Sequence, residues 1–195
     1  DCVRRCEQAS RRRKVVGIMP VHIGGLMVGM DRVREFADKH SLWVVEDAAH
    51  SFPSAWRKDS LSDWRACGCG DSEVSCFSFY ANKTITTGEG GMATTHRHDL
   101  YERMRVMSLH GISKDAWKRF SSEGGWYYEI VAPGFKYNLT DLASAIGIHQ
   151  LKKAEMMREK RERVAGLYRE GLRDLFSVSL PPDPPDRVHS WHLFY

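Results

Sequence analysis

Leu42-Trp43-Val44-Val45-Glu46-Asp47 decides the fold: it is an apolar run of strand length that closes on two acids. Upstream, Met30 to His40 carries apolar residues at helical spacing, with Met30, Val33, Phe36 and Ala37 on one side. Before that helix, Val15-Val16-Gly17-Ile18-Met19 is another short β-branched run, stopped by Pro20. Strand, helix and strand in so short a span is the pattern of a parallel crossover unit, because parallel neighbours need a connection that returns over the sheet. The chain is therefore read as α/β, a mostly parallel sheet flanked by helices.

Downstream, Val74 to Tyr80 and Gly91 to Thr95 are two more strand candidates, and His98 to Leu109 reads as a helix. Ser51 to Gly70 is polar and irregular, the composition of a loop with local turns. Ile112 to Pro133, rich in Trp, Tyr, Gly and Ser, has no clean period and is expected to be a long functional loop. Thr140 to Arg173 is helical, capped by Asn138 or Thr140, with breaks expected near Gly166 or Gly171. Pro181-Pro182-Asp183-Pro184-Pro185 is a linker, and His189 to Tyr195 reads as strand-like. Both ends are abrupt, so the sequence is expected to be an excerpt of a longer protein.

Composition narrows the function classes. The chain has 195 residues, 42% hydrophobic and 28% charged, which is ordinary for a globular domain. No apolar run is long enough to cross a bilayer and no secretory leader is visible, so a cytoplasmic protein without a membrane partner is expected. Five cysteines leave no complete disulfide framework. Cys67-Gly68-Cys69, with Cys76 nearby, lacks a second ligand pair at zinc spacing, so no metal is expected. The net charge is +4, concentrated in Arg11 to Lys14 and in Lys152 to Arg173, where Glu155, Glu159, Glu162 and Glu170 interleave. Stacking aromatics do not alternate with those bases, which argues against a nucleic-acid partner.

Two residues stand where an open parallel sheet binds ligands, beyond the carboxyl ends of its strands. Asp47 ends one strand, and Lys83 follows another, just ahead of Gly88-Glu89-Gly90-Gly91. An amine lodged there can attack a carbonyl, and a carboxylate can face the ring nitrogen of a pyridine cofactor. On local grounds alone such a pair is more often a surface ion pair or a helix cap. Ser78 precedes the lysine by a few residues and could donate to a phosphate, or simply bond its own sheet. His22, His50 and His110 each lie near an element end and individually read as structural histidines.

Taken together, the segments resemble the DegT/StrS family of sugar aminotransferases. They are Met19 to Gly25, Val45 to His50, Cys76 to Lys83, Thr87 to Met92, Leu109 to Gly111, Gly134 to Asp141 and His189 to His192. The resemblance implies a three-layer α/β/α large domain of the type I pyridoxal-phosphate fold, here without its N-terminal part. Residues 1–175 would form that domain, and 176–195 a linker and the first strand of a C-terminal small domain.

The resemblance also implies roles for single residues. Lys83 would hold pyridoxal 5'-phosphate as an imine, and Asp47 would pair with its ring nitrogen. His50, where many members carry glutamine, would contact the ring, and Ser78 would bind the phosphate. Asn138 would reach the phosphate of a partner subunit's site, which implies a homodimer with shared active sites. Lysine at position 83, where related sugar dehydratases carry histidine, favours amino transfer. The implied reactants are an amino-acid donor, glutamate, and a nucleotide sugar, with the 4-keto group suggested by His110 to Trp117. Such products feed cell-surface polysaccharide, lipid A or secondary-metabolite sugars. Trp117, Trp126, Tyr127 and Tyr128 could face sugar or base, or pack at a subunit interface. The competing expectation is a non-catalytic fragment that only dimerises or binds a partner.

Overall fold

A computed structural model of the chain describes residues 4–5, 14–112 and 128–195. In chain order its elements are β1 (Gly17–Ile18), a 3-10 turn (Ile23–Gly25), α1 (Met30–Lys39), β2 (Trp43–Asp47), β3 (Ala55–Trp56) and β4 (Arg65–Ala66). They continue with β5 (Val74–Ser78), β6 (Gly91–Thr94), α2 (His98–Ser108), α3 (Asp141–Leu151), α4 (Ala154–Gly171) and β7 (Arg187–Val188).

The larger sheet has the order β1-β2-β5-β6. β1, β2 and β5 run parallel, and β6 returns antiparallel beside β5. The sheet is thus mostly parallel, as the crossover pattern predicts, with α1 as the connection from β1 to β2. Register pairs Glu46 with Ser75 and Asp47 with Cys76. Side chains alternate across a strand, so Val44 and Glu46 share one face of β2 while Trp43, Val45 and Asp47 share the other.

The Val44 face carries the core. Met27, Met30, Ala37, Leu42, Val44 and Trp56 form its buried cluster, with Ile18, Val33 and Phe36 packed against it. The apolar stripe read from Met30, Val33, Phe36 and Ala37 is therefore the buried face of α1. The opposite face is open: Trp43 keeps 47% of its surface exposed, and Cys76 and Ala93 are exposed too. The Trp43 indole lies where a Cβ on Gly17 would stand, 2.5 Å from its ring atoms, so any larger residue there would have to push the indole aside.

Three expectations need correction. Ser51 to Gly70 is not all loop, because β3 and β4 pair in it and join β7 in a second sheet. Strands of two residues have no periodicity to read. The helical stretch from Thr140 breaks first at Lys152 and Lys153, runs on through Gly166 and ends at Gly171. Gly166 lies inside α4 and Gly171 is its last residue, while the early break lets α4 set Ala154 and Ala165 inward, both buried. The cap is Thr140, whose Oγ1 accepts a hydrogen bond from the Ala143 N–H at 3.3 Å. Finally, the terminal strand is Arg187–Val188, and beyond it the backbone turns, with Trp191 at φ 49°. The Trp191 ring there stacks on His189 with centroids 3.9 Å apart.

Of the 112–133 loop, Ile112 bridges to Ile130 and Tyr128 is exposed, whereas Trp117, Trp126 and Tyr127 lie outside the described residues, as do Arg11 to Arg13. Among the described residues no helix is long and apolar enough to cross a membrane.

Candidate functional site

Asp47 is set by backbone on both sides. Its N–H donates to the Pro20 carbonyl at 2.9 Å, and its carbonyl accepts from the His22 N–H at 3.1 Å. Its side chain makes one local bond, Oδ1 accepting from the Ala49 N–H at 3.1 Å. Oδ2 has no hydrogen-bond donor among the described residues, so one carboxylate oxygen remains for a ligand.

The chain then holds to β5, with the Ala48 N–H on the Cys76 carbonyl at 2.9 Å, and presents His50. The Gly24 N–H donates to His50 Nδ1 at 3.3 Å, which places the neutral ring's proton on Nε2. Burial and the nearby Lys83 charge lower the His50 pKa, and Asp47 opposes them. His50 is thus close enough to both Lys83 and Asp47 to feel each charge.

Lys83 sits in the turn that follows β5, its N–H on the Tyr80 carbonyl at 3.0 Å. Its Nζ lies 3.5 Å from His192 Nε2, and the His192 ring packs on His50 with centroids 4.4 Å apart. No carboxylate lies within ion-pair distance of Nζ among the described residues. Lys83, His192, His50 and Asp47 therefore form one continuous group at the carboxyl end of the parallel strands. An open depression of about 710 Å³ adjoins it, lined by Lys83, Thr84, Lys160, Trp191, His192 and Phe194 among others.

His192 was not singled out from sequence, where His189 to His192 served only as part of a resemblance. It stands 109 residues from Lys83, and no local pattern joins them. Arg161, on α4, makes the join by donating to the carbonyls of Trp191 at 3.3 Å, His192 at 3.4 Å and Asn82 at 3.4 Å. Burial pulls His192 down to about 4, helped by the charges of His50, Lys83 and Arg161. His189 is also lowered to about 4, by burial and by Arg169.

Ser78 lies on the Asp47 face, two residues beyond Cys76, and its Oγ accepts from the Tyr80 N–H at 3.3 Å. Asn138 makes no hydrogen bond with the group among the described residues: it is exposed, and its Oδ1 accepts from the Lys136 ammonium. His110 is exposed at φ 56° with its N–H on the Phe135 carbonyl.

His22 has the structural role its position suggests. Fully buried, it accepts the Val28 N–H on Nδ1 at 3.3 Å and so offers Nε2–H to Glu46 at 2.8 Å. Ser72 and Ser75 donate to the other Glu46 oxygen at 2.5 and 2.8 Å. Burial pushes the Glu46 carboxyl up, but these hydrogen bonds outweigh it and hold the pKa below the usual value. The Cys67 thiol lies close enough that His22, Glu46 and Cys67 bring donor atoms within 4.8 Å of one another. Every polar atom there has a protein partner, Cys67 being 3.0 Å from Ser51 Oγ, and burial pushes the thiol up to about 12. The arrangement ties the turn after β1, β2 and the residues before and in β5 together by hydrogen bonds.

The fold and this group define a class: an α/β unit with an amine and an acid at the carboxyl edge of a mostly parallel sheet, the usual place for a ligand. Comparison with known proteins gives the family. Residues 2–195 match the model of the DegT/DnrJ/EryC1/StrS aminotransferase family, and the chain belongs to it. It is 46% identical over 177 residues to the uncharacterized protein MJ1066 of Methanocaldococcus jannaschii, covering 91% of this chain and 44% of that protein. To the spore coat polysaccharide biosynthesis protein SpsC of Bacillus subtilis it is 41% identical over 187 residues, covering 96% of this chain and 46% of SpsC. Among solved structures it is similar to S. venezuelae DesV in complex with a ketimine intermediate, with a TM-score of 0.78, 32% identity, and coverage of 93% of this chain and 44% of DesV. The chain spans less than half the length of the curated relatives it matches.

Proposed function

We propose that this chain is the cofactor-holding part of a pyridoxal-phosphate aminotransferase that moves an amino group from an amino acid, glutamate, to a keto group of a nucleotide-linked sugar. One observation carries the reading. Among the described residues Lys83, an amine without an acidic partner, shares a cluster with Asp47, an acid with one oxygen free of donors. Family membership, the ketimine bound to DesV and the polysaccharide role named for SpsC support it.

The residues fit the cofactor's chemistry. Lys83 would hold the cofactor's aldehyde group through its amine, and its Nζ, when free, would be the group that accepts and returns a proton. Asp47 would keep the pyridine nitrogen protonated. The bound ring supplies what no side chain can, delocalisation of a carbanion. His50 lies against the same space, and Ser78, on the Asp47 face, is assigned to the phosphate. Asn138, exposed and bonded only to Lys136 among the described residues, is assigned to the site of a second subunit in a homodimer. Residues 1–175 would hold the cofactor, with 176–195 leading to a second domain.

Borohydride trapping with added pyridoxal 5'-phosphate tests the reading. The expected result is one reduced adduct, on Lys83, that disappears in Lys83→Ala. An adduct of full yield in that variant overturns the assignment. Asp47→Asn is expected to keep the adduct and slow amino transfer.

A further inference from the structure

We propose that His192 is a positioning residue for Lys83: its neutral imidazole accepts a hydrogen bond from the lysine Nζ and aims that amine toward Asp47 and His50. The inference rests on the aminotransferase reading and adds a residue to its site.

The geometry is specific to His192. Its Nε2 is 3.5 Å from Nζ, at the long end of hydrogen-bond distances. The ring is not free to swing away. The residue is 9% exposed, Arg161 grips its carbonyl, and its ring packs on His50. The backbone around it is tied to the turn that also orients His50. Ser190 N–H donates to the Gly25 carbonyl at 3.1 Å, and Leu193 N–H to the Gly24 carbonyl at 3.1 Å. Ser190 Oγ donates to the His50 carbonyl at 2.8 Å. Gly25 allows this close approach, since a Cβ there would stand 2.1 Å from Ser190 Oγ. One two-glycine turn thus fixes both imidazoles against each other.

Charge decides the role of the ring. The charged or chargeable groups named around His192 are Lys83, Arg161 and His50, all basic. A proton added to His192 would enter a cluster of cations out of water, so the ring stays neutral and is an acceptor at Nε2. The Nδ1 proton follows from that tautomer, and Nδ1 is buried without a hydrogen-bond partner among the described residues. Keeping the acceptor lone pair on Nε2 for Lys83 accounts for an unpartnered Nδ1–H.

Two measurements on the 195-residue chain test the proposal. The first needs no cofactor: nitrogen-15 NMR of the His192 ring should show the Nδ1–H tautomer at pH 7, and Lys83→Met should shift it toward Nε2–H. An Nε2–H tautomer in the unaltered chain, or a spectrum unmoved by Lys83→Met, overturns the hydrogen bond. The second follows adduct formation at Lys83 with pyridoxal 5'-phosphate. His192→Phe keeps the bulk and loses the acceptor, and should slow capture by about tenfold or more. His192→Gln restores an acceptor near Nε2 and should recover the rate to within about threefold. Equal rates in all three chains, or no recovery in His192→Gln, would make the residue a packing element only. A chain that gives the Nδ1–H tautomer yet traps nothing at Lys83 would sink the cofactor reading and leave the hydrogen bond standing.

Discussion

Glu46 and Asp47 are neighbours in sequence and carry the same functional group, yet they work in opposite environments. Glu46 is fully buried, and both its oxygens accept hydrogen bonds from His22, Ser72 and Ser75. Asp47 is half-buried with a single backbone donor. Strand alternation makes the difference, since one step along β2 crosses from the core face to the open face. A fully satisfied carboxylate has no capacity left for a ligand and serves stability. The carboxylate that the fold leaves unsatisfied is the one able to do chemistry.

The contrast between the faces can be broken experimentally, and the largest effect belongs to the cysteines. Cys67 belongs to the buried side and its thiol is raised to about 12, which leaves roughly a thousandfold less thiolate than an ordinary cysteine. Cys76, exposed on the open face, should alkylate before Cys67 at pH 8, even though burial and Asp47 raise its pKa as well. Peptide mapping after brief iodoacetamide treatment reads the order, and early labelling of Cys67 would show that the two faces are not so distinct.

Next come the two acids themselves. Glu46→Ala strands the His22 N–H and two serine hydroxyls in the core, and should cost about 3 kcal/mol in urea unfolding. Asp47→Ala should cost less than about 1 kcal/mol. Equal losses would remove the division of labour between them. Because Glu46 is lowered on folding, its contribution is present above its unfolded value, 4.5, and is lost as pH falls through its depressed folded value.

Histidine acidification has the same direction and a higher window. His189 falls from 6.5 to about 4 on folding, so the unfolded chain binds the extra proton between those values. The stability it confers is complete above pH 6.5 and is lost as pH drops toward 4, an effect on the order of 2–3 kcal/mol. His189→Asn keeps an acceptor for the Trp191 N–H, which now donates to Nδ1 at 2.9 Å, but cannot titrate. Its unfolding free energy should change less between pH 7 and 4.5 than that of the unaltered chain. The smallest effect compares two valines: Val44→Ala, at a site with no exposure, should cost about 2 kcal/mol, and Val45→Ala on the open face about half that.

Much of this was legible in the sequence. The two parallel strands around α1, the apolar stripe of that helix and the placing of Asp47 and Lys83 beyond strand ends all follow from periodicity over a few residues. The break at Lys152 was not legible, because Gly166 and Gly171 looked like stronger interruptions and nothing local reveals which face a helix must turn inward. β3, β4 and β7 were too short to show a period. Nor does any spacing rule single out His192, which only long-range packing brings to Lys83.

By itself the sequence determined the crossover unit, the family and the order of the reactive groups along the chain, because each is written in contiguous residues. Tertiary structure alone decided that Glu46 supports the core while Asp47 stays open, that Cys67 is buried, and that His192 meets the amine. Those outcomes depend on which segments return to the same sheet edge, and distance in space between residues far apart in the chain is settled only when the whole fold closes.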